Sequence, residues 1–322
     1  MEYGKYTFDK FEFVNGKVLE NVVVDYILKG TPCYDEDGNV TNAIVFCHNY
    51  EGNASSLADF SQLTSEGNPF DFNDYFFISI SSIGVPDSCS PSTTGLRYNF
   101  PEYNFLDRVN FKRKFLREKL NMDKVLGITG RGLGGYEVYT WACEYPDDMK
   151  FIIVDSSAYR TTGYRYVVAK GIESIIDSSE NYYSELYSES LSKIMVSINR
   201  LLYSSYSSRN TFDAMSKDEI DVLMDDYVDD GLFIDIYDFK FQNDAIIQYD
   251  VENQLKNVKA KALIISPYED LYYSPKFDTI PLKNLIDDCE LLMFEFNKNQ
   301  INDVDYNFFI DELTSFLENF KK

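Results

Sequence analysis

The stretch GITGRGLGGYEV, residues 127–138, decides the fold of this chain. The apolar run VLGIT leads into its glycine-rich centre, and GGYEVYTWACEY, a run with helical spacing, follows it. A buried strand that turns into a helix through several glycines is typical of open α/β sheets, where such turns lie at the carboxyl edge of the strands. The stretch therefore predicts an α/β fold with a functional site at this turn.

Apolar runs typical of buried strands recur on both sides of this turn. Those runs are VLENVVVDYIL (18–28), AIVFCH (43–48), YFFISIS (75–81), VLGIT (125–129), FIIVDS (151–156), ALIIS (262–266) and ELLMFEF (290–296). Helical spacing appears between or after them in LDRVNFKRKFLREKL, GGYEVYTWACEY and NFFIDELTSFLENF. This alternation predicts a mostly parallel sheet flanked by helices on both faces. An antiparallel pairing of the first two strands at the sheet edge is the alternative.

A long segment in the second half of the chain breaks the alternation. Residues 159–248 lack strand-like runs and are rich in Tyr, Ser and Asp, while ESLSKIMVSINRLLY and KDEIDVLMDDYV have helical spacing. Because this segment lies between two core strands, we expect it to fold over the carboxyl edge of the sheet. The predicted organisation is an α/β core of residues 1–156 and 249–322 with a helical lid of residues 157–248.

The charge balance of the chain is strongly acidic. Its 322 residues include 53 Asp and Glu against 30 Lys and Arg, for a formal net charge of −23. Such a surface repels nucleic-acid phosphates and anionic lipids, so neither nucleic acid nor a membrane is expected as a partner. The first residues show no signal-peptide pattern and no window approaches about eighteen continuous apolar residues, which favours a cytoplasmic location.

Five cysteines are scattered along the chain, namely Cys33, Cys47, Cys89, Cys143 and Cys289. Their number is odd, and no C-x-x-C pair is present to hold a metal or to act as a redox switch. They are interpreted as reduced thiols, and neither a metal nor a cofactor is predicted.

The glycine-rich turn has the pattern of a nucleophile elbow, in which G-x-S-x-G forces the middle residue outward beside the start of a helix. Here the middle position is Gly132, so the turn keeps its glycines and lacks the hydroxyl. A phosphate loop of a dinucleotide site is the alternative, but that site belongs to the first β-α-β unit and this turn lies mid-chain. Arg131 and Leu133, beside Gly132, are candidate pocket residues, although an outward Arg131 would be an ordinary surface charge.

Five segments, taken in order, resemble landmarks of one enzyme family. They are IVFCHNYEGNASS, ISSIGVPDSCSPSTTGLRYNFPEYNFLDRV, LNMDKVLGITGRGLGGYEVYTWACEYPD, DVENQLKNVKAKALIISPYEDLYYSP and INDVDYNFFIDELTSFLENF. Over nearly its whole length the chain resembles the homoserine O-acetyltransferase group of α/β-hydrolase-fold enzymes. The resemblance implies an α/β-hydrolase fold and a homodimer packed through lid helices. It assigns the segments to the oxyanion loop, a long loop, the elbow, the triad acid and the triad histidine.

Acyl transfer through a covalent intermediate needs a nucleophile, a base and a carboxylate that orients the base. The resemblance places the retained triad acid at Asp270, the lost nucleophile at Gly132 and the lost histidine at Asp305, with Asp303 as the alternative for the last. The only histidine of the chain is His48. Without triad groups such a site keeps about 10³ to 10⁴-fold catalysis over the uncatalysed rate, so the chain is expected to be inactive by the family mechanism.

The oxyanion loop is assigned by the same resemblance to the sequence HNYEG, with His48, Asn49 and Tyr50 as candidate residues. Its backbone N–H groups, around Asn49 and Tyr50, are expected to face a developing oxyanion, while the His48 ring supports the loop. A loop that keeps these donors opposite an empty elbow can still bind a carboxylate or carbonyl oxygen.

Two further interpretations give the chain a different chemistry. One makes Cys47 a nucleophile with His48 as its base, although adjacent side chains on a strand tend to point to opposite faces. The other places a divalent metal on Asp270, Asp305 and His48, where it would activate water. The alternative to a metal site is that the Asp270 and Asp305 carboxylates are hydrogen bonded to Arg131 or to backbone amides.

These observations predict a homoserine O-acetyltransferase-like protein that lacks the family's catalytic mechanism. Its pocket, lined by the Tyr-rich lid, is expected to bind a small ligand, or its surface to bind a partner. The alternative is an active hydrolase or acyltransferase that acts on small acyl esters through displaced groups. A non-catalytic subunit that regulates an active relative is a third hypothesis.

Overall fold

The computed structural model describes residues 2–50, 52–184, 189–205, 208–297, 300–301 and 303–321. The strands of its main sheet are β1 (Glu2–Glu12), β2 (Val18–Lys29), β3 (Ala43–Cys47), β4 (Phe76–Ile80), β5 (Gly127–Arg131), β6 (Phe151–Asp155), β7 (Lys261–Pro267) and β8 (Cys289–Phe294). A separate small sheet pairs β9 (Phe296–Asn297) with β10 (Gln300–Ile301).

The main sheet is mostly parallel. Its strands lie in the order β1-β2-β4-β3-β5-β6-β7-β8, and every neighbouring pair from β4 to β8 is parallel. The prediction of an α/β fold with a mostly parallel sheet is confirmed. The alternative of an antiparallel pair of N-terminal strands at the sheet edge is also found, but the pair is β1 with β2. The runs 18–28 and 43–48 do not pair with each other, because β2 pairs with β4 and β3 lies between β4 and β5.

The edge strand β1 is a strand of the main sheet that the sequence analysis misses. Of its eleven residues, EYGKYTFDKFE, only Phe8 and Phe11 are buried. An edge strand of this kind has a weak hydrophobic pattern because most of its side chains face solvent. It joins the sheet through an antiparallel hairpin with β2, in which Phe8 pairs with Val22.

The helices are α1 (Ser61–Thr64), α2 (Phe105–Leu120), α3 (Leu133–Glu144), α4 (Gly163–Asp177), α5 (Glu189–Tyr203), α6 (Arg209–Asp213), α7 (Lys217–Phe233), α8 (Ile236–Ile247), α9 (Leu282–Leu285) and α10 (Asp303–Glu318). The three predicted core helices correspond to α2, α3 and α10. Within the described residues no helix combines the length and apolar character needed to cross a membrane.

Helices cover both faces of the sheet, because alternate residues of each buried strand point to opposite sides. On β3, Val45 belongs to the apolar cluster that contains Trp141 of α3. Its neighbour Ile44 belongs to the cluster that contains Leu313 and Phe316 of α10. This layering places the turn between β5 and α3 at the edge of the sheet where the carboxyl ends of the neighbouring strands lie.

The helices α4 to α8 lie between β6 and β7 in the chain. Three of them share an apolar cluster, in which Ile172 of α4, Leu191 and Met195 of α5, and Tyr237 of α8 are buried. The division of the chain into a core of residues 1–156 and 249–322 and a lid of residues 157–248 stays a prediction.

Candidate active site

The turn between β5 and α3 is a sharp strand-to-helix elbow. Gly132 at its centre has φ 54° and ψ −119°, a conformation that residues with a side chain rarely adopt. Its N–H donates to the carbonyl oxygens of Asp155 (3.0 Å) and Ser156 (3.1 Å) after β6. The start of α3 also approaches β3 closely, since a Cβ on Gly134 would lie 2.1 Å from the Cys47 carbonyl oxygen. The strand-to-helix turn therefore has glycine at its centre, and the assignment of Gly132 to a lost nucleophile stays a prediction.

The side chain of Asn49 occupies the space that a nucleophile at this elbow would need. A Cβ on Gly132 would lie 2.2 Å from Asn49 Oδ1 and 2.8 Å from Asn49 Cγ. The same Oδ1 accepts a hydrogen bond from the backbone N–H of Leu133 at 3.1 Å. In an elbow, that N–H is one of the two donors that bind an oxyanion. The sequence analysis singled out Asn49 for its backbone, whereas the structure places its carboxamide in the site.

His48 lies beneath the loop rather than in the site. The backbone N–H of Ser82 donates to His48 Nε2 at 3.0 Å, so Nδ1 carries the proton and donates to the Asn49 carbonyl oxygen at 2.9 Å. Complete burial, reinforced by the cations of Lys112 and Arg108, lowers the pKa of His48 to about 3. Its ring is neutral with both nitrogens engaged, so it supports the loop and is not placed to act as a base.

Cys47 is also sealed off from the site. Its side chain is fully buried, and burial raises the pKa of its thiol to about 12. A thiol with such a pKa is not ionised at neutral pH and is a poor nucleophile. This environment argues against the pairing of Cys47 with His48 as a catalytic dyad.

A fully buried ionic network supports α2, α3 and the oxyanion loop. Glu137 of α3 lies 2.7 Å from both Arg108 Nε and Lys112 Nζ of α2, and all three side chains are 0% exposed. Burial raises the pKa of Glu137, but the two cations outweigh that effect and hold it at about 2. Gln242 of α8 extends the network, because its Oε1 accepts from Arg108 and its Nε2 donates to the Tyr50 carbonyl oxygen, both at 3.1 Å.

Asp270, the predicted triad acid, follows β7 and faces the elbow region. Its Oδ1 accepts the backbone N–H groups of Tyr272 (2.9 Å) and Tyr273 (2.7 Å). Burial raises the pKa of Asp270 to about 6; the two backbone hydrogen bonds oppose that rise, and the negative charge of Asp155 adds to it. The carboxylate is thus held by backbone amides, one of the arrangements expected from the sequence.

Arg131 does not point fully into the site. Its side chain is 56% exposed, and its Nε lies 3.4 Å from Asp155 Oδ2. Asp155 in turn accepts at Oδ1 from the hydroxyl of Ser156 at 2.9 Å. Ser156 has φ 44°, a positive value that costs energy in a residue with a side chain. Arg131 therefore pairs with a carboxylate that the sequence analysis did not single out.

The two aspartates proposed for the histidine position lie at the start of α10, and the side chains of Asp303 and Asp305 fall outside the described residues. The assignment to one of them stays a prediction. The metal interpretation also relied on His48, whose ring nitrogens are both hydrogen bonded. Within the described ranges, no group of three or more His, Cys, Asp or Glu side chains is arranged to hold a metal ion.

A cavity of about 580 Å³ opens in front of the elbow. It is lined by residues from three sources: Asn49, Tyr50, Arg131, Gly132, Tyr136 and Ser156 from the elbow side; Ile172, Leu202, Ser208, Thr211, Asn243 and Ile246 from the helical segment; and Pro267, Glu269, Asp270, Tyr272 and Tyr273 after β7. Five of the predicted site residues thus meet here. His48 and Leu133 are absent from the lining, and Leu133 is 1% exposed with only its N–H directed to Asn49.

The aromatic wall of the cavity comes from an unexpected part of the chain. Its tyrosines are Tyr50, Tyr136, Tyr272 and Tyr273, from the oxyanion loop, α3 and the segment after β7. Among the described residues 159–184, 189–205 and 208–248, the lining groups are aliphatic or small and polar. The expectation of a pocket lined by a Tyr-rich lid is therefore corrected for the described residues of this segment. Tyr182 and Tyr237 pack into a separate apolar cluster, while Tyr164, Tyr166 and Tyr183 are exposed.

The chain is similar in sequence to known acyltransferases. No protein-family model matches it. It is 33% identical over 287 residues to a probable acyltransferase of Methanothermobacter thermautotrophicus, covering 89% of this chain and 88% of that protein. It is 27% identical over 303 residues to a homoserine O-acetyltransferase of Methanohalobium evestigatum, covering 81% of this chain and 61% of that protein. The chain belongs to the homoserine O-acetyltransferase-like group of α/β-hydrolase-fold proteins.

Solved structures agree with membership of this group at the level of the fold. The homoserine O-acetyltransferase of Bacillus anthracis superposes with a TM-score of 0.84 at 18% identity, covering 98% of this chain and 97% of that one. An acetylester hydrolase of Corynebacterium glutamicum gives a TM-score of 0.83 at 20% identity, covering 98% and 96%. The α/β-hydrolase fold is thereby confirmed.

The Asn49 carboxamide, Asp155 and Ser156 are polar groups at the elbow that the sequence-based prediction did not include. A signal for the last two was present, because the run FIIVDS ends with them at the carboxyl end of the strand next to the elbow. Ligands of open α/β sheets bind at that edge. The role of the Asn49 side chain had no sequence signal, since it depends on contact with residues more than eighty positions away.

Proposed function

We propose that this member of the homoserine O-acetyltransferase-like group binds a small molecule and forms no acyl-enzyme at its elbow. The observation that carries the proposal is the Asn49 carboxamide, which stands where a nucleophilic side chain at Gly132 would stand. Nucleophilic catalysis by the triad mechanism needs a hydroxyl at that point and an imidazole within reach of it. The single imidazole, His48, is buried and doubly hydrogen bonded.

The cavity supports the binding part of the proposal. Its volume of about 580 Å³ falls within the range of about 300–1,000 Å³ that is usual for small-molecule sites. Arg131, Glu269 and Asp270 provide charges of both signs on its wall, beside four tyrosines. Homoserine and its acyl esters are the first ligands to test, because named relatives are homoserine O-acetyltransferases.

The test is thiol release from acetyl-CoA and succinyl-CoA in the presence of homoserine. The natural protein is assayed beside the double variant Gly132→Ser, Asp305→His, and intact mass is recorded after exposure to each acyl donor. We expect no turnover and no mass increase in the natural protein, together with a rise in melting temperature for at least one ligand of the class. Clear turnover in the natural protein would overturn the proposal.

An active esterase or acyltransferase is the second candidate, and the Ser156–Asp155 pair favours it. Ser156 lines the cavity, and its hydroxyl donates to Asp155 at 2.9 Å. In such a reaction Ser156 Oγ would attack the ester carbonyl, its proton would pass to Asp155, and the alcohol would leave with that proton; water would then release the acid. If hydrolysis of p-nitrophenyl acetate is found, Ser156→Ala should abolish it. Ser65→Ala, at an exposed serine that does not line the cavity, should leave it nearly unchanged.

We also propose, from the family resemblance, a homodimer packed through the helices between β6 and β7. Light scattering tests this assembly, and a monomer in solution would contradict the homodimer.

A cytoplasmic location is proposed as well, with support from the five cysteines, all of which are free thiols. A partner role, as a non-catalytic subunit beside an active relative, predicts co-purification with a chain that retains the serine and the histidine.

A further inference from the structure

We propose that Asn49 is a built-in occupant of the oxyanion-binding position. In this arrangement its Oδ1 takes the Leu133 N–H that an acyl oxygen would otherwise take, so an acyl ligand gains that donor only when the Asn49 side chain turns away. The inference rests on the proposed function in one respect, namely that the cavity receives a ligand with an acyl or carbonyl group.

The hydrogen bond at Leu133 carries the first part of the argument. Leu133 is the first residue of α3, and its N–H is one of the N-terminal donors that a helix leaves without an internal partner. The helix dipole makes this end attractive to a partially negative oxygen. Asn49 Oδ1, 3.1 Å from the Leu133 nitrogen, is such an oxygen. The Leu133 N–H, one of the oxyanion donors of an elbow, therefore already has an acceptor within the protein.

The fit between Asn49 and Gly132 carries the second part. With Oδ1 at 2.2 Å, Cγ at 2.8 Å and Nδ2 at 3.3 Å from a Cβ placed on Gly132, the carboxamide fills the space that a side chain at Gly132 would need. A side chain at Gly132 and the observed rotamer of Asn49 exclude each other. The two residues form a matched pair, and restoring a nucleophile at Gly132 alone would leave it pressed against the amide.

The backbone of Asn49 is held on both sides of the loop, while its side chain is held at Oδ1 by the Leu133 N–H. The Asn49 carbonyl oxygen accepts from His48 Nδ1 at 2.9 Å and from the Gly52 N–H at 3.0 Å. Gln242 anchors the next carbonyl oxygen, that of Tyr50. The residue itself is exposed and lines the cavity. Withdrawal therefore requires only a rotation about the side-chain bonds, which a ligand in the cavity can drive.

Amide hydrogen exchange at Leu133 tests the proposal in the otherwise natural chain. Asn49→Ala removes the acceptor of the Leu133 N–H and should speed its exchange at least tenfold. Asn49→Asp is the matched control, because it keeps an oxygen at the Oδ1 position, and it should leave the exchange rate near that of the natural protein.

Unchanged protection of Leu133 in Asn49→Ala, or equal acceleration in both variants, would overturn the proposal. These outcomes are separate from those of the proposed function, because the readout involves no turnover by the natural protein.

Discussion

The backbone N–H of Ser82 donates to His48 Nε2 at 3.0 Å, inside the protein. This bond fixes the tautomer of the only imidazole in the chain, and the proton on Nδ1 is used to hold the Asn49 carbonyl oxygen. The ring cannot take up a proton without losing the bond from Ser82. The oxyanion loop, and with it the Asn49 side chain, is therefore positioned by a histidine that must stay neutral.

The free energy of unfolding should contain a component that falls as the pH drops from 6.5 toward 3. Burial lowers the pKa of His48 from 6.5 to about 3, so in that window the unfolded chain binds the proton and the folded chain does not. The component is at most about 1.4 kcal/mol per pH unit. Urea unfolding of the natural protein and of His48→Gln, over a pH series, should show this slope only in the former. Identical slopes would contradict the assignment.

Glu137→Gln should destabilise the protein by about 3–5 kcal/mol, because it leaves Arg108 and Lys112 buried without a counterion. The matched control is Glu118→Gln on the surface of α2, where the exposed Glu118 pairs with the half-buried Lys114. An exposed pair of this kind is worth about 0–1 kcal/mol. Urea unfolding at pH 7 gives both values, and similar small losses would show that the buried network does not stabilise the fold.

The same glutamate predicts an acid-sensitive window. Because its two cations, despite burial, hold the pKa of Glu137 near 2, below the ordinary value of 4.5, its stabilisation is complete above pH 4.5 and is lost as the pH falls toward 2. Between these values the melting temperature of the natural protein should fall more steeply than that of Glu137→Gln. Parallel curves would mean that Glu137 titrates normally.

The ionisation of Asp270 should change the stability of the protein with pH in the opposite direction. Burial raises its pKa from 3.8 to about 6, so the folded protein holds a proton that the unfolded chain has released, and stability declines as the pH rises through this interval. Asp270→Asn keeps an oxygen for the N–H groups of Tyr272 and Tyr273 and should remove the decline. The melting temperature is compared at pH 4 and pH 7, with the exposed Asp213→Asn as control. A decline of equal size in Asp270→Asn would refute this.

A second buried ion pair links α4 to the segment after β7. Arg165 Nη1 and Nη2 donate to the two oxygens of Asp278 at 2.5 and 2.6 Å. Asp278→Ala leaves a buried guanidinium unpaired and should cost about 3–5 kcal/mol. The double variant Arg165→Met, Asp278→Leu should recover much of that loss, because apolar groups need no counterion. Denaturant unfolding gives the free energy of unfolding of both variants. A double variant that is less stable than Asp278→Ala would contradict this explanation.

Much of the fold was predictable because it follows from local patterns. Continuous apolar runs mark β3 to β8, since both faces of these strands are covered, and glycines in a strand-to-helix turn mark the elbow. The exposed edge strand β1 escaped prediction because only Phe8 and Phe11 of its side chains are buried. The pairing of β2 with β4 rather than β3 also escaped, because strand order depends on contacts between distant segments.

The sequence by itself determined the α/β fold, the glycine at the elbow, the single histidine and the resemblance to one enzyme group. The tertiary structure alone decided what fills the site. Asn49 and Leu133 are 84 positions apart in the chain, yet a hydrogen bond joins them. The tyrosines of the cavity likewise come from three separate segments. Sequence patterns report whether a residue is buried, because burial repeats with the period of a helix or strand; they do not report which distant group it meets, because that depends on how the layers pack.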